Sequence, residues 1–292
     1  MKASVRSFGA CFFYLSTFIG MKSFILSIFF ISICSIAVNA QTSLTAGPPR
    51  VYFVVEPGQD QTQYIDVVNP SKDYPLELAV SFEDWSYSKL GENLLFKKGE
   101  LQTSCANWIS VSEPYFSLKP KESKRIMVNL RVPTSVSTTD SIPVRTTMLF
   151  ITQTNPRSSK NQEGANIRLS VRSGIKIYHR FSGRIKQDLE IVDLSYKNLD
   201  TVGNMLEVDY KISGNVWMEG KIRTEFINQE TGEKTLLEDV GFYSLPGDVR
   251  KQYIPIQKNL QSGKYLASVI FLYGEQEAVK IAELEFDHVP KS

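Results

Sequence analysis

Alternation of apolar and polar residues with a period of two is the strongest pattern in the chain. Such runs lie at residues 76–82, 126–132, 167–171, 206–212 and 265–273. Because successive side chains on a β-strand point to opposite faces, each run forms one apolar and one polar face. Turn-forming pairs such as Asn-Pro and Pro-Gly separate the runs. The pattern predicts an all-β protein of short antiparallel strands.

The length of 292 residues is enough for two domains. We place the division near residues 178–183 and predict seven or eight strands in residues 44–178 and about seven more in residues 184–290. Each part has the roughly 100 residues that an immunoglobulin-like sandwich needs. Residues 85–106 fit the alternation poorly and are predicted to form a long connection with a hairpin in it. The expected fold class is therefore all-β, with two immunoglobulin-like β-sandwich domains.

Residues 1–40 contain no Asp or Glu and have the order of a secretory signal, with a cation at Lys22, an apolar run and a small-residue cleavage site that ends at Ala40. We predict that Met21 is the true start and that the signal is cleaved after Ala40. The alternative is an uncleaved membrane anchor that uses both apolar runs, and the cation between the runs argues against it.

Composition and motifs exclude several functions. A net charge of +2 does not fit a protein whose main partner is nucleic acid, and two His and three Cys leave little room for a metal site. Cleavage of the signal leaves Cys105 alone, so we expect a buried thiol and no internal disulfide. No nucleotide-binding, hydrolase or metalloprotease motif is present. We expect no cofactor and no enzymatic activity.

Two segments carry a resemblance to a known family. The first has Arg50 before an apolar run and a following strand that ends in Asn69; the second is the alternating run at residues 167–178, which contains Lys176 just before the domain junction. In these features the chain resembles the periplasmic pilus-assembly chaperones, the PapD-like family. Residues 143–150 match the family poorly, so the chain resembles a divergent member. The resemblance implies two sandwiches arranged in an L with a cleft between them.

The resemblance also implies a mechanism. Pilus subunits are incomplete sandwiches, and a chaperone caps them by adding an edge strand, as in the known chaperone–pilin complexes. Here Ile167, Leu169 and Val171 would enter the groove of the subunit, and Arg50 and Lys176 would bind its C-terminal carboxylate. The implied partners are exported fibre subunits, and the implied location is the periplasm of a Gram-negative bacterium.

Several alternatives stay open at this point. The alternating residues at 167–171 could be the inner face of an ordinary strand. Strict alternation also places Lys176 on the opposite face from that run, unless a bulge near Ser173-Gly174 changes the parity. Whether an outer-membrane usher takes part, and whether a second copy caps the free strand in a dimer, is not decided. The alternative function is a structural or adhesive surface protein built from two immunoglobulin-like domains.

Overall fold

The structure is a computed structural model that describes residues 44–138, 142–160, 164–199, 203–256, 260–274 and 278–289. The predicted signal at residues 1–40 lies outside the described residues. Thr42–Ser292 form one compact unit, in which two β-sandwiches follow each other along the chain. No helix in the described ranges has the length and hydropathy that crossing a bilayer requires.

Strands β1 to β12 and one 3-10 turn at Ala106–Trp108 build the first sandwich. The strands are β1 (Thr45–Gly47), β2 (Arg50–Val54), β3 (Asp60–Val68), β4 (Leu76–Tyr87), β5 (Asn93–Phe96), β6 (Ile109–Val111), β7 (Tyr115–Leu118), β8 (Ser123–Arg131), β9 (Arg145–Gln153), β10 (Arg157–Lys160), β11 (Asn166–Leu169) and β12 (Arg172–Arg180). One sheet has the order β1-β3-β8-β6, and the other has the order β2-β12-β9-β4-β5 with β7 also paired to β4. Strands β10 and β11 form a separate two-stranded ribbon.

The core of the first sandwich follows the predicted alternation. Ile126, Val128 and Leu130 of β8 are buried, whereas the residues between them are not. They share one apolar cluster with Leu76 and Leu78 of β4, which belongs to the other sheet. Burial of each such side chain stabilises the fold by about 1.5–3 kcal/mol. These contacts hold the two sheets of the sandwich together.

Strands β13 to β20 build the second sandwich. They are β13 (Leu189–Leu199), β14 (Gly203–Ile212), β15 (Met218–Asn228), β16 (Lys234–Leu236), β17 (Val240–Ser244), β18 (Val249–Pro255), β19 (Gly263–Tyr273) and β20 (Ala278–His288). The sheets have the orders β13-β14-β18 and β16-β15-β19-β20, and β17 pairs with β15. The alternating residues of β14 and β19 are buried in a second core. The predicted all-β fold of two sandwiches is confirmed, while the residue boundaries of the domains stay predictions.

The segment at residues 85–106 differs in part from its prediction. A hairpin is present, because β5 pairs with the end of β4. The segment does not begin as a connection, however, since Trp85 is a fully buried residue of β4 whose Nε1 donates to the carbonyl of Thr147 at 3.1 Å. The first sandwich therefore has more strands than the sequence predicts. Cys105 is fully buried, and burial raises the pKa of its thiol, as expected for an inert cysteine.

Asn69, which directly follows the end of β3, is fully buried. Its amide nitrogen donates to the carbonyls of Tyr74, Leu118 and Lys119 at 2.8, 3.2 and 3.1 Å. Its side-chain oxygen accepts a hydrogen bond from the backbone N–H of Ser71 at 3.0 Å. One side chain thus satisfies several backbone groups of a turn that would otherwise be buried without partners.

We predict that Asn69→Ala lowers the free energy of unfolding by about 2–4 kcal/mol. Each lost hydrogen bond costs about 0.5–1.5 kcal/mol, and the buried carbonyls left behind add to that cost. Urea denaturation followed by circular dichroism measures the change. The control is Asn129→Ala, because that amide bonds to Asp60 and Thr62 at exposed positions, where water replaces it. Equal losses in the two variants would contradict the role assigned to Asn69.

Candidate functional site

Arg50 and Lys176 lie side by side on neighbouring strands. Strands β2 and β12 pair in parallel, and the register places Lys176 opposite Arg50 at the first paired position. The backbone N–H of Lys176 donates to the carbonyl of Pro49 at 3.0 Å. Residues directly opposite each other in a sheet project from the same face. The two cations that the resemblance singles out are therefore brought together by the fold.

The Lys176 amine is surrounded by aromatic side chains. Its Nζ lies 4.2 Å from the ring centroid of Trp85 and 4.3 Å from that of Tyr87, and it donates to the hydroxyl of Tyr87 at 2.9 Å. Both aromatic residues belong to the end of β4. A cation is attracted to the face of an aromatic ring, which partly offsets the water it loses on burial.

Arg50 reaches across to the second sandwich. Its Cζ lies 3.9 Å from the ring centroid of Tyr243, which belongs to β17. Its Nε is buried and has no hydrogen-bond partner among the described residues. A guanidinium carries five N–H donors and no acceptor, so Arg50 can donate to an oxygen ligand that enters the site.

Aromatic residues of both sandwiches form the floor of this site. Tyr52 stacks on Tyr178 with ring centroids 5.2 Å apart and on Trp217 at 4.9 Å. Trp217 lies just before β15, so these contacts join the two sandwiches. Trp85 packs edge-on against Tyr178 at 5.6 Å. The cations thus lie beside a cluster of aromatic rings that both sandwiches contribute.

The charge of the site is not compensated by acidic side chains. None of the ion pairs among the described residues involves Arg50 or Lys176. Burial, and then the nearby charges of Arg50 and Arg250, lower the pKa of Lys176 to about 8. A half-buried pair of cations with no acidic partner among the described residues is a suitable site for a carboxylate, which would raise that pKa again.

A free strand edge leads up to the two cations. Between residues 176 and 179, β12 pairs with β2 on one side and β9 on the other, whereas residues 172–175 pair with β9 alone among the described strands. On the same path, β11 pairs with β10 on one side, and no described strand pairs with its other side. Unpaired N–H and C=O groups along such an edge can bind an added strand.

The three predicted donor residues lie along this path in different environments. Ile167 and Leu169 are on β11, with 36% and 50% of their surface exposed. Their exposure removes the alternative that they belong to the core. Val171 is half-buried and lies outside β11, because the strand ends at Leu169. The run that the sequence presents as one strand is therefore interrupted.

The interruption lies before Ser173 and Gly174. The pairing of β12 with β9 is continuous through these two residues, so no bulge occurs at the position that the sequence left open. The irregularity lies at Ser170, whose hydroxyl donates to the carbonyl of Gln153 at 2.7 Å, and at Val171, whose carbonyl accepts from the N–H of Gln153 at 2.9 Å. A side-chain bond to the neighbouring strand competes with the regular ladder here.

Sequence reasoning missed the residues that surround the cations. Tyr87 could have been suspected, since it follows Trp85 with strand spacing. Tyr243 and Arg250 come from the second sandwich and carry no local signal, because their role depends on which strands meet.

No group of three or more potential metal ligands occurs within the described ranges.

Comparison with known proteins gives structural neighbours of low identity. No protein-family model matches the chain, and no curated protein matches it. Among solved structures, it is similar to the YadV chaperone at 10% identity and a TM-score of 0.44, covering 83% of this chain and 99% of that one. It is similar to the E. coli chaperone DraB at 16% identity and a TM-score of 0.41, covering 85% and 98%. It is also similar to the CsuC–CsuE chaperone–subunit complex of Acinetobacter baumannii, at 12% identity and a TM-score of 0.44, covering 82% of this chain and 97% of that one.

We predict that Lys176→Met stabilises the isolated protein at pH 7. The folded state holds the amine at a pKa of about 8, below the 10.5 of the free side chain, so the charged form costs free energy on folding. The gain should be about 1 kcal/mol once partial exposure is taken into account. It should shrink between pH 8 and 10.5, because the unfolded wild type then binds more protons than the folded protein and wild-type stability rises.

Thermal unfolding at pH 7, 9 and 10.5 measures this effect. Lys221→Met is the matched control, since Lys221 is an exposed lysine on β15, and we expect little change there at any of these pH values. A Lys176→Met variant that is less stable than the wild type at pH 7 would contradict the prediction.

Proposed function

We propose that the protein is a periplasmic chaperone that binds and caps exported fibre subunits with an incomplete β-sandwich. It adds its free edge at β11 and the start of β12 to the subunit and binds the C-terminal carboxylate of the subunit at Arg50 and Lys176. The observation that carries the proposal is the position of two uncompensated cations at the point where the free edge ends. The proposed mechanism involves no catalytic step.

The geometry sets the direction of the bound segment. A carboxylate at Lys176 marks the end of the guest chain, and the free edge runs back from there toward β11. The guest segment would therefore run parallel to the donated strand, with its last residue at the two cations. The edge from residue 166 to residue 175 can pair with about ten residues, which is roughly 33 Å of extended chain.

The two parts of the site have different roles. Main-chain hydrogen bonds along the edge supply affinity without demanding a particular sequence, and Ile167 and Leu169 offer apolar side chains to a groove. The cations bind one chemical group that every polypeptide carries once, at its end. A carboxylate bound there fixes the register of the added strand, since a shift by one residue would leave the charge unpaired.

The proposed location follows from the N-terminal signal. Export to the periplasm of a Gram-negative bacterium would bring the protein to subunits that have crossed the inner membrane and have not yet been assembled. This step of the proposal rests on the sequence of residues 1–40.

The carboxylate anchor is tested with Arg50→Ala and Lys176→Ala. After co-expression with a candidate subunit, each variant should capture the subunit at least about thirtyfold more weakly, because losing one partner of a desolvated charge pair costs about 2–5 kcal/mol. Co-purification followed by titration measures the loss. The control is Arg125→Ala, which removes an exposed surface cation paired with Asp66.

A second form of the guest sharpens the same test. A subunit extended by a few residues at its C-terminus should bind the wild type as weakly as the unmodified subunit binds Arg50→Ala. Undiminished capture by both alanine variants would remove the anchor from the proposal. Surface polymers of this chain alone would instead support the structural or adhesive alternative.

The donated edge is tested with the double variant Ile167→Asp and Leu169→Asp. Charged side chains cannot enter an apolar groove, so we expect capture of the subunit to be lost while the fold is kept, because both positions are exposed. Ile281→Asp is the matched control, since Ile281 lies on the edge strand β20 and is 58% exposed. Equal capture by the double variant and the control would exclude this edge as the donor.

A further inference from the structure

Arg250 of β18 is a buried cation that the proposed anchor does not use. Only 6% of its surface is exposed, although it lies on an edge strand of the second sandwich. Its Nη1 donates to the carbonyl of Tyr243 at 2.8 Å and lies 3.6 Å from a carboxylate oxygen of Asp248. Its Nε is buried and has no hydrogen-bond partner in the part of the chain that the structure describes. Burial of a charged group costs free energy, so packing alone does not explain why an arginine occupies this position.

Arg250 contacts the aromatic partner of each anchor cation. Its Nη1 donates a hydrogen bond to the backbone carbonyl of Tyr243, and the Arg50 guanidinium packs against the ring of the same tyrosine. Its Cζ lies 4.7 Å from the ring centroid of Tyr87, whose hydroxyl accepts the hydrogen bond from Lys176. One side chain of the second sandwich therefore connects the two supports of an anchor whose cations both belong to the first sandwich.

The charges around Lys176 form a defined set. Its neighbours are Arg50 from β2, Trp85 and Tyr87 from β4, Tyr178 from its own strand, and Arg250 from β18, with Asp248 beside Arg250. Asp248 is the one described carboxylate that pairs with a cation of this group. Arg250 thus adds positive charge next to the anchor while its own position is fixed by Asp248 and the carbonyl of Tyr243.

We propose that Arg250 is a positioning residue of the carboxylate anchor. It holds Tyr87 and Tyr243 in place, and through them it keeps Lys176 and Arg50 directed at the same point. Through Arg250, the second sandwich then determines how tightly the anchor binds a carboxylate, although Arg250 itself does not contact the carboxylate. This inference rests on the proposed function and adds a role for the second sandwich in it.

The tip of the β4–β5 hairpin closes over the guanidinium. Gly91 has a φ of +89°, and a Cβ added there would overlap with Nη2 of Arg250. Next to it, the carbonyl of Lys89 accepts a hydrogen bond from the N–H of Lys251 at 2.8 Å. The hairpin therefore offers a way to displace Arg250 without changing the residue itself.

The first test replaces Arg250 in the full mature chain. The titration midpoint of Lys176 is followed by NMR on protein with ¹³C-labelled lysine, and Lys176→Met assigns the signal. Sodium acetate is the probe, and its affinity is measured at pH 7. In Arg250→Gln we expect the Lys176 midpoint to rise from about 8 and acetate affinity to fall about tenfold. In Arg250→Lys the positive charge remains, but the planar guanidinium with its several N–H donors is lost. Acetate affinity should therefore fall, while the Lys176 midpoint should move less than in Arg250→Gln.

The second test uses Gly91→Ala, because the added Cβ would overlap with Nη2 of Arg250 and displace the guanidinium from its position over Tyr87. We expect the same upward shift of the Lys176 midpoint and the same direction of change in acetate affinity. Gly232→Ala is the matched control, because Gly232 also has a positive φ, +73°, but no atom lies within 4 Å of an added Cβ. It repeats the backbone strain without moving Arg250, and both readouts should stay at the wild-type values.

The outcomes separate this inference from the proposed function. An unchanged Lys176 midpoint and unchanged acetate affinity in both Arg250→Gln and Gly91→Ala would overturn the positioning role. Wild-type acetate affinity in Arg250→Lys would overturn it as well, since charge alone would then suffice. If Arg250→Gln does not fold, Gly91→Ala and Arg250→Lys decide the question. If Arg50→Ala and Lys176→Ala bind acetate normally, the anchor fails, and the Lys176 midpoint still shows whether Arg250 supports that lysine.

Discussion

The parallel pairing of β2 with β12 is the constraint on which the rest of the site depends. It begins at Arg50 and Lys176, so it places the two cations side by side and at the same time closes the sheet edge from that point onward. Before that point no strand of the described residues pairs with the edge. One pairing therefore determines where an added strand would have to end and which charges would meet its last residue.

The two cations of the site lower the stability of the folded protein. Arg50, Lys176 and Arg250 are like charges that lie close together in partly or fully buried positions. The lowered pKa of Lys176 reflects the free-energy cost of this arrangement. Aromatic faces and the Asp248 carboxylate offset part of this cost. Sites built to bind a partner often keep such strain, because the missing charge arrives with the ligand.

Different parts of the molecule were predictable to different degrees. The buried positions of β8, β14 and β19 follow from period-two alternation, since burial on one face leaves little freedom in residue type. Arg50 and Lys176 were identified through a resemblance, not through any local rule. The position of the strand irregularity was left open by the sequence, because it coincides with a hydrogen bond from Ser170 to Gln153 that has no periodic signal.

The sequence by itself determined the all-β class and the two cores, because these depend on the period of the side chains. The tertiary structure decided what the alternating segments face. Ile167 and Leu169 have the same alternation as core residues, yet they lie on an exposed ribbon. Tyr243 and Arg250 acquire a role only where the second sandwich meets the first. Contacts between residues far apart in the chain leave no periodic signal, so only the folded arrangement reveals them.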